Sequence, residues 1–240
     1  MGSSMSGLAT ARTTGLLLLL GFAVGAFATT YPQSVLFVTG NATATAANIV
    51  AGESLFRFGV VCLLVSSLLN TAQTYSLYRL MRPASRGLAL LAVMFQVIST
   101  TGFAMSQVPY YSVLPILSGA DYLKTFSRDQ LNSLALLSLR VSGFNKVLFE
   151  LHYGAGAMLF GYIMFRSGFL PRLVGILLAI GGASFMCMAL VAVSGLRQAS
   201  FPLQISFTVT TTLVALWLLI KGVDEARWQE SAAAAGRQGP

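Results

Sequence analysis

The stretch Arg172–Val193 reads RLVGILLAIGGASFMCMALVAV, and after its first residue it carries no charge. A helix rises about 1.5 Å per residue, so about 20 mostly apolar residues cross a hydrocarbon core of about 30 Å. Working outward, windows of the same kind recur at Asn145–Phe165 and Leu203–Lys221. Toward the start of the chain they recur at Thr14–Tyr31, Ser54–Leu80 and Gly87–Gln107, the last with an extension to Leu117. The expected fold is an all-α polytopic membrane bundle of six transmembrane helices.

The composition of the 240 residues agrees. Hydrophobic residues make up 55% and charged residues 9%, whereas a soluble domain carries about 25% charge. So few charges leave a soluble surface uncovered, and so much apolar content excludes a disordered chain. Cys62 and Cys187 both lie in apolar runs, which gives no disulfide framework. One histidine, His152, and two separated cysteines are too few for a metal site, and no cofactor is expected.

The net charge of +8 does not point to nucleic acid, because the basic residues fall in gaps between apolar runs and not on one interleaved face. Arg12, Arg79, Arg82, Arg86, Arg166, Arg172, Lys221, Arg227 and Arg237 alternate to one side of the six spans. Lys124, Arg128 and Arg197 fall on the other, partly offset by Asp121 and Asp129. The positive-inside rule then sets both termini in the cytoplasm of a multi-pass inner (plasma) membrane protein. Arg12, the Leu16–Gly25 run and Ala26-Phe27-Ala28 also resemble a cleavable signal peptide. The anchor reading is preferred, because Gly21 and Gly25 form a helix-packing face.

Between the third and fourth spans, Ser127-Arg128-Asp129-Gln130 fits a capping box. The helix it opens, about Arg128–Ser142, is too short and polar to cross, and Ser142-Gly143 is expected to break it. A separate interfacial or re-entrant amphipathic helix is therefore added to the fold. Residues 1–223 are expected to form one bundle domain and residues 224–240 a cytoplasmic tail without fixed structure. Gly154, Ala157 and Gly161, and Gly175, Ala179 and Gly182, are small-residue stripes that allow close helix approach. Pro109 and Pro115 are expected to kink or end the third span.

Several strings resemble a family labelled domain of unknown function 4386. They are Ala11-Arg12-xx-Gly15-Leu16-Leu17; Thr45-Ala46-Ala47-Asn48-Ile49 followed by Glu53-Ser54-Leu55-Phe56-Arg57; Leu77-Tyr78-Arg79-Leu80; Phe165-Arg166-Ser167-Gly168-Phe169-Leu170-Pro171-Arg172; and Trp217-Leu218-Leu219-Ile220-Lys221-Gly222-Val223. The resemblance spans Ala11 to Val223 and implies a small bacterial integral membrane protein. It brings no reaction, substrate or catalytic residue with it.

Ionisable residues within spans are candidates for function. Glu53 and Arg57 share a helix face at the outer start of the second span. Lys146 and Glu150 repeat that spacing in the fourth. His152 lies about 200° from Glu150 around a helix. The catalytic candidates are Glu150, Glu53 and His152; the binding candidates are Arg57, Lys146, Tyr153 and Asn48. Arg140 is placed at the headgroups by snorkelling. The two charged pairs are expected to meet at the outer leaflet, beside a cavity lined by Glu53, Arg57, Glu150 and Tyr153. The bland alternative makes the pairs structural fasteners. Three functions fit: a ligand-binding or accessory bundle, placed first; a membrane-embedded acid–base enzyme on a lipid- or isoprenoid-like substrate; and a small transporter. The expected partners are membrane lipids, an amphipathic small molecule and further copies of the chain.

Overall fold

The computed structural model describes residues 6–195 and 200–237. Within them every regular element is a helix. These are α1 (Gly7–Leu36), α2 (Ala42–Ala51), α3 (Glu53–Met81), α4 (Arg86–Tyr111), α5 (Val113–Leu117), α6 (Arg128–Arg166), α7 (Arg172–Ser194), α8 (Ser200–Ile220) and α9 (Glu225–Arg237), with a 3₁₀ turn at Asp121–Leu123. Six are long and apolar enough to cross a membrane: α1, α3, α4 running on through α5, α6, α7 and α8. Arg197, counted above with the outer charges, lies outside the described residues.

Local chemistry sets several boundaries. The Asn41 side chain accepts the Ala44 amide at 2.9 Å and opens α2. Ser127 and Gln130 close the expected capping box at the start of α6: Oγ of Ser127 accepts the Gln130 amide at 3.2 Å, and Oε1 of Gln130 accepts the Ser127 amide at 2.8 Å. α4 ends two residues after Pro109, whose carbonyl takes the Ser112 and Ser138 hydroxyls at 2.8 and 2.7 Å. Gly222, just past the end of α8, has a φ of +70° that suits a residue without Cβ, and the Trp217 carbonyl accepts the Lys221 and Gly222 amides.

The chain divides into two compact units. The first comprises Met1–Leu20, Leu69–Thr100 and Val147–Pro240. Here the two glycine stripes meet: a Cβ on Gly161 would stand 2.7 Å from the Gly175 carbonyl, and one on Gly154 2.5 Å from that of Gly182. α6 and α7 thus touch backbone to backbone, which replaces in lipid the hydrophobic drive that water supplies. α7 packs on α8 through the stacked rings of Phe185 and Phe207, 4.2 Å apart, and the Ser184–Ser206 hydrogen bond of 2.8 Å. Gly15 of α1 lies so close to α8 that a Cβ would be 2.6 Å from the Ala215 carbonyl.

The second unit comprises Gly21–Leu68 and Thr101–Lys146. The Ser66 hydroxyl of α3 donates to the Gly21 carbonyl at 3.1 Å and sits 2.9 Å from where a Gly25 Cβ would be. The expected Gly21/Gly25 face is therefore a contact with α3. The Phe56 and Tyr110 rings stack at 4.9 Å in its interior.

Two expectations are corrected. No break occurs at Ser142-Gly143; α6 is one helix of 39 residues, and the expected amphipathic helix is its first part. Ser142 is buried, so tertiary packing outweighs the roughly 1 kcal/mol that a helical glycine costs. Nor does the tail lack structure, since Glu225–Arg237 forms α9. The Asp224 side chain caps it through the Arg227 amide at 3.2 Å. Trp228 donates its indole N–H to the Leu80 carbonyl at 3.0 Å, and its ring lies over Gly7. Residues 238–240 of the expected tail lie outside the described part.

Candidate functional site

The residues singled out by sequence fall into separate local settings. In the second unit, Glu53 and Arg57 open α3. Nε and Nη2 of Arg57 grip Oε1 of Glu53 at 2.7 and 2.6 Å, and both side chains are about half exposed. The Tyr111 hydroxyl, from the end of α4, stands within polar reach of the guanidinium. Asn48 belongs to α2, where it is half-buried and its carbonyl accepts the Gly52 amide at 2.8 Å. Lys146, in the same unit, is also half-buried. Arg140 is exposed on α6. A groove of about 490 Å³ runs along the first turns of α6, lined by Phe126, Asp129, Gln130, Ser133, Leu134 and Leu137.

Glu150 belongs to the first unit and is half-buried. His152 bonds through Nδ1 to the Leu148 carbonyl at 2.8 Å, and its ring lies 6.3 Å from that of Phe95. Because α6 is unbroken here, Glu150 and His152 face different ways, as the 3.6-residue period requires. Tyr153 is buried. Its ring meets Phe149, Phe185 and Phe207 at 5.5 to 6.1 Å, and its hydroxyl accepts from Nε2 of Gln73 at 3.3 Å.

Sequence reasoning missed the partners of Tyr153. Gln73 and Gln96 are both 3% exposed. Gln96 donates to the Tyr153 carbonyl at 3.3 Å, and Ser99 donates to that of Phe149 at 2.9 Å. The signal was present, as two glutamines in the middle of apolar spans, where an unpaired amide is costly.

The same unit carries a second group of residues that sequence reasoning left unassigned. Glu225, at the start of α9, accepts the amides of Gly7 and Leu8 at 3.1 and 2.6 Å. Those are unsatisfied donors of the first turn of α1, at the positive end of its dipole. Burial pushes the Glu225 carboxyl pKa up, but the Gln229 amide and the Leu8 and Gly7 backbone bonds outweigh it and hold it below the ordinary value. Beside this junction the Asp224 amide donates to the Phe169 carbonyl at 3.0 Å, and Nη1 of Arg227 donates to that of Gly168 at 3.1 Å. Two of the strings that carry the family likeness, around Gly168 and Trp217, thus converge here.

Six apolar helices, close glycine contacts and amide–hydroxyl pairs inside apolar packing define a polytopic helical membrane protein. The model of the family described as Domain of unknown function (DUF4386) matches residues 13–222, and the chain belongs to that family. No curated protein and no solved structure matches it.

Proposed function

We propose that the chain is a membrane-embedded binding or accessory bundle without turnover, held in the inner (plasma) membrane with both termini cytoplasmic. The observation that carries this reading is the Glu53–Arg57 pair: the guanidinium engages Oε1 of Glu53 through two nitrogens, at 2.7 and 2.6 Å. The pair is closed within one helix, from i to i+4, which fits a charge fastener at a binding surface, whereas acid–base work needs a group within reach of the reacting atom. His152 and Tyr153 support the same reading. Each is bonded within the helical packing, to the Leu148 carbonyl and to Gln73.

Native mass spectrometry of the purified chain, before and after incubation with a lipid extract, tests this. The expected result is a retained lipid-sized mass and an unchanged extract. A new product that disappears in Glu53→Gln or Glu150→Gln would overturn the reading in favour of an acid–base enzyme. The orientation rests on the bias of basic residues. It is checked with an impermeant thiol reagent on Ala84→Cys and Thr125→Cys, each in a background lacking Cys62 and Cys187. Thr125 is expected to react from outside and Ala84 only after permeabilisation; the reverse pattern inverts the topology.

A further inference from the structure

Where α6 turns into α7 and α8 into α9, the first unit holds a pocket of about 390 Å³ walled by Phe169, Pro171, Trp217, Lys221, Asp224 and Arg227. Its chemistry is lopsided toward donors. Arg227 is fixed in place by the Gly168 carbonyl at 3.1 Å and by Oδ2 of Asp224, 3.4 Å from Nε. Lys221 is exposed and has no carboxylate partner among the described residues. Phe169 and Leu170, both buried, complete the loop side of the wall.

The setting also fixes what sort of acceptor it takes. Lys221 follows the last turn of α8, and Trp217 stands one turn earlier. Tryptophan and lysine at the end of a span mark the depth where hydrocarbon gives way to water. One wall is therefore aromatic and apolar, the other cationic, and Asp224 offsets only one of the two charges. Basic pockets between helices at this depth suit phosphate head groups.

We infer that this pocket binds the phosphate group of an anionic amphiphile, with Lys221 supplying the uncompensated charge, Arg227 the directed donor, and Trp217 the apolar wall. An anionic phospholipid presents that group from the bilayer; free phosphate presents the same charge from water. Binding here does not depend on whether the chain also turns over a substrate.

The test uses the full chain in a neutral detergent, read by native mass spectrometry and, in a Trp228→Phe background, by the fluorescence of Trp217. The probes are phosphatidylglycerol, phosphatidylcholine and inorganic phosphate. The expected result is that phosphatidylglycerol binds more tightly than phosphatidylcholine. Lys221→Gln then weakens phosphatidylglycerol about fivefold, as one surface charge predicts, while Lys221→Arg retains it. Asp224→Asn, which keeps a residue suited to capping α9, tightens binding. A Lys221-dependent response to inorganic phosphate alone assigns the same site to the soluble source. Equal affinity for the two lipids, or affinities that neither Lys221→Gln nor Asp224→Asn changes, overturns the proposal. The melting temperature of each empty variant separates lost binding from lost folding, and Asp224→Asn reads in the opposite direction to a general loss.

Discussion

Oε2 of Glu225 accepts the amide proton of Leu8 at 2.6 Å, between residues 217 positions apart. With Oε1 on the Gly7 amide at 3.1 Å, one carboxylate from α9 does for α1 what an N-cap side chain does for its own helix. Removing it as Glu225→Ala is expected to cost about 1 kcal/mol.

The pH dependence of that contact has a defined direction. Burial opposes the charge on Glu225, yet the bonds from Gln229, Leu8 and Gly7 leave its carboxyl below the ordinary value in the folded chain. The contribution is therefore full above the ordinary carboxylate range of the unfolded chain and is lost as pH falls through the lowered folded value. The melting temperature of the parent minus that of Glu225→Gln, measured in detergent, should stay level from neutral to about pH 5 and close in acid. A gap that persists through the carboxylate range would show that charge has no part in the contact.

The α6–α7 contact should be intolerant of a single methyl group. A Cβ at Gly161 meets the Gly175 carbonyl at 2.7 Å, and one at Gly175 meets the Gly161 carbonyl at 2.5 Å. Gly161→Ala and Gly175→Ala are each expected to cost about 1–3 kcal/mol by overpacking. Gly87→Ala is the control, since a Cβ there has open space. Thermal unfolding of the three variants decides it.

At Gly143 the opposite sign is expected. This residue lies inside α6 with nothing within 4 Å of an added Cβ. Alanine should stabilise the helix by up to about 1 kcal/mol. A loss on Gly143→Ala would mean that the segment departs from helix at this point.

Gln73 and Tyr153 should be energetically coupled. Their 3.3 Å bond is buried in apolar packing. Paired side-chain bonds between membrane helices are worth about 0.6 kcal/mol in double-mutant cycles. The cycle through Gln73→Leu, Tyr153→Phe and the double variant should return a coupling of that order. Strict additivity would assign both residues to packing alone.

What was legible in the sequence was what sequence neighbours decide. An uncharged run such as Leu173–Val193, the Ser127–Gln130 capping box, the i, i+4 pairing of Glu53 with Arg57 and the glycine stripes at 154, 161, 175 and 182 each depend on spacing along one helix. The rest depends on distant partners. Glu225–Arg237 reads as a polar, alanine-rich tail until Glu225 finds the start of α1 and Trp228 finds Leu80. Ser142-Gly143 reads as a stop because local propensity favours one, and packing overrides it. Among the candidate residues, sequence placed Tyr153 in a span but not its bond to Gln73, since nothing in a helical wheel says which neighbour fills the facing side.

The contact between α1 and α9 also orders events in time. Glu225 is translated 218 residues after Gly7, about 10–45 s later at ordinary synthesis rates. Throughout that interval the first helix is made while its amide donors at Gly7 and Leu8 lack their carboxylate. The opening turn of the first span is thus completed only once all six spans have left the ribosome. A chain arrested before Glu225 keeps those donors uncapped, a chemical mark that sets an incomplete copy apart from a finished one.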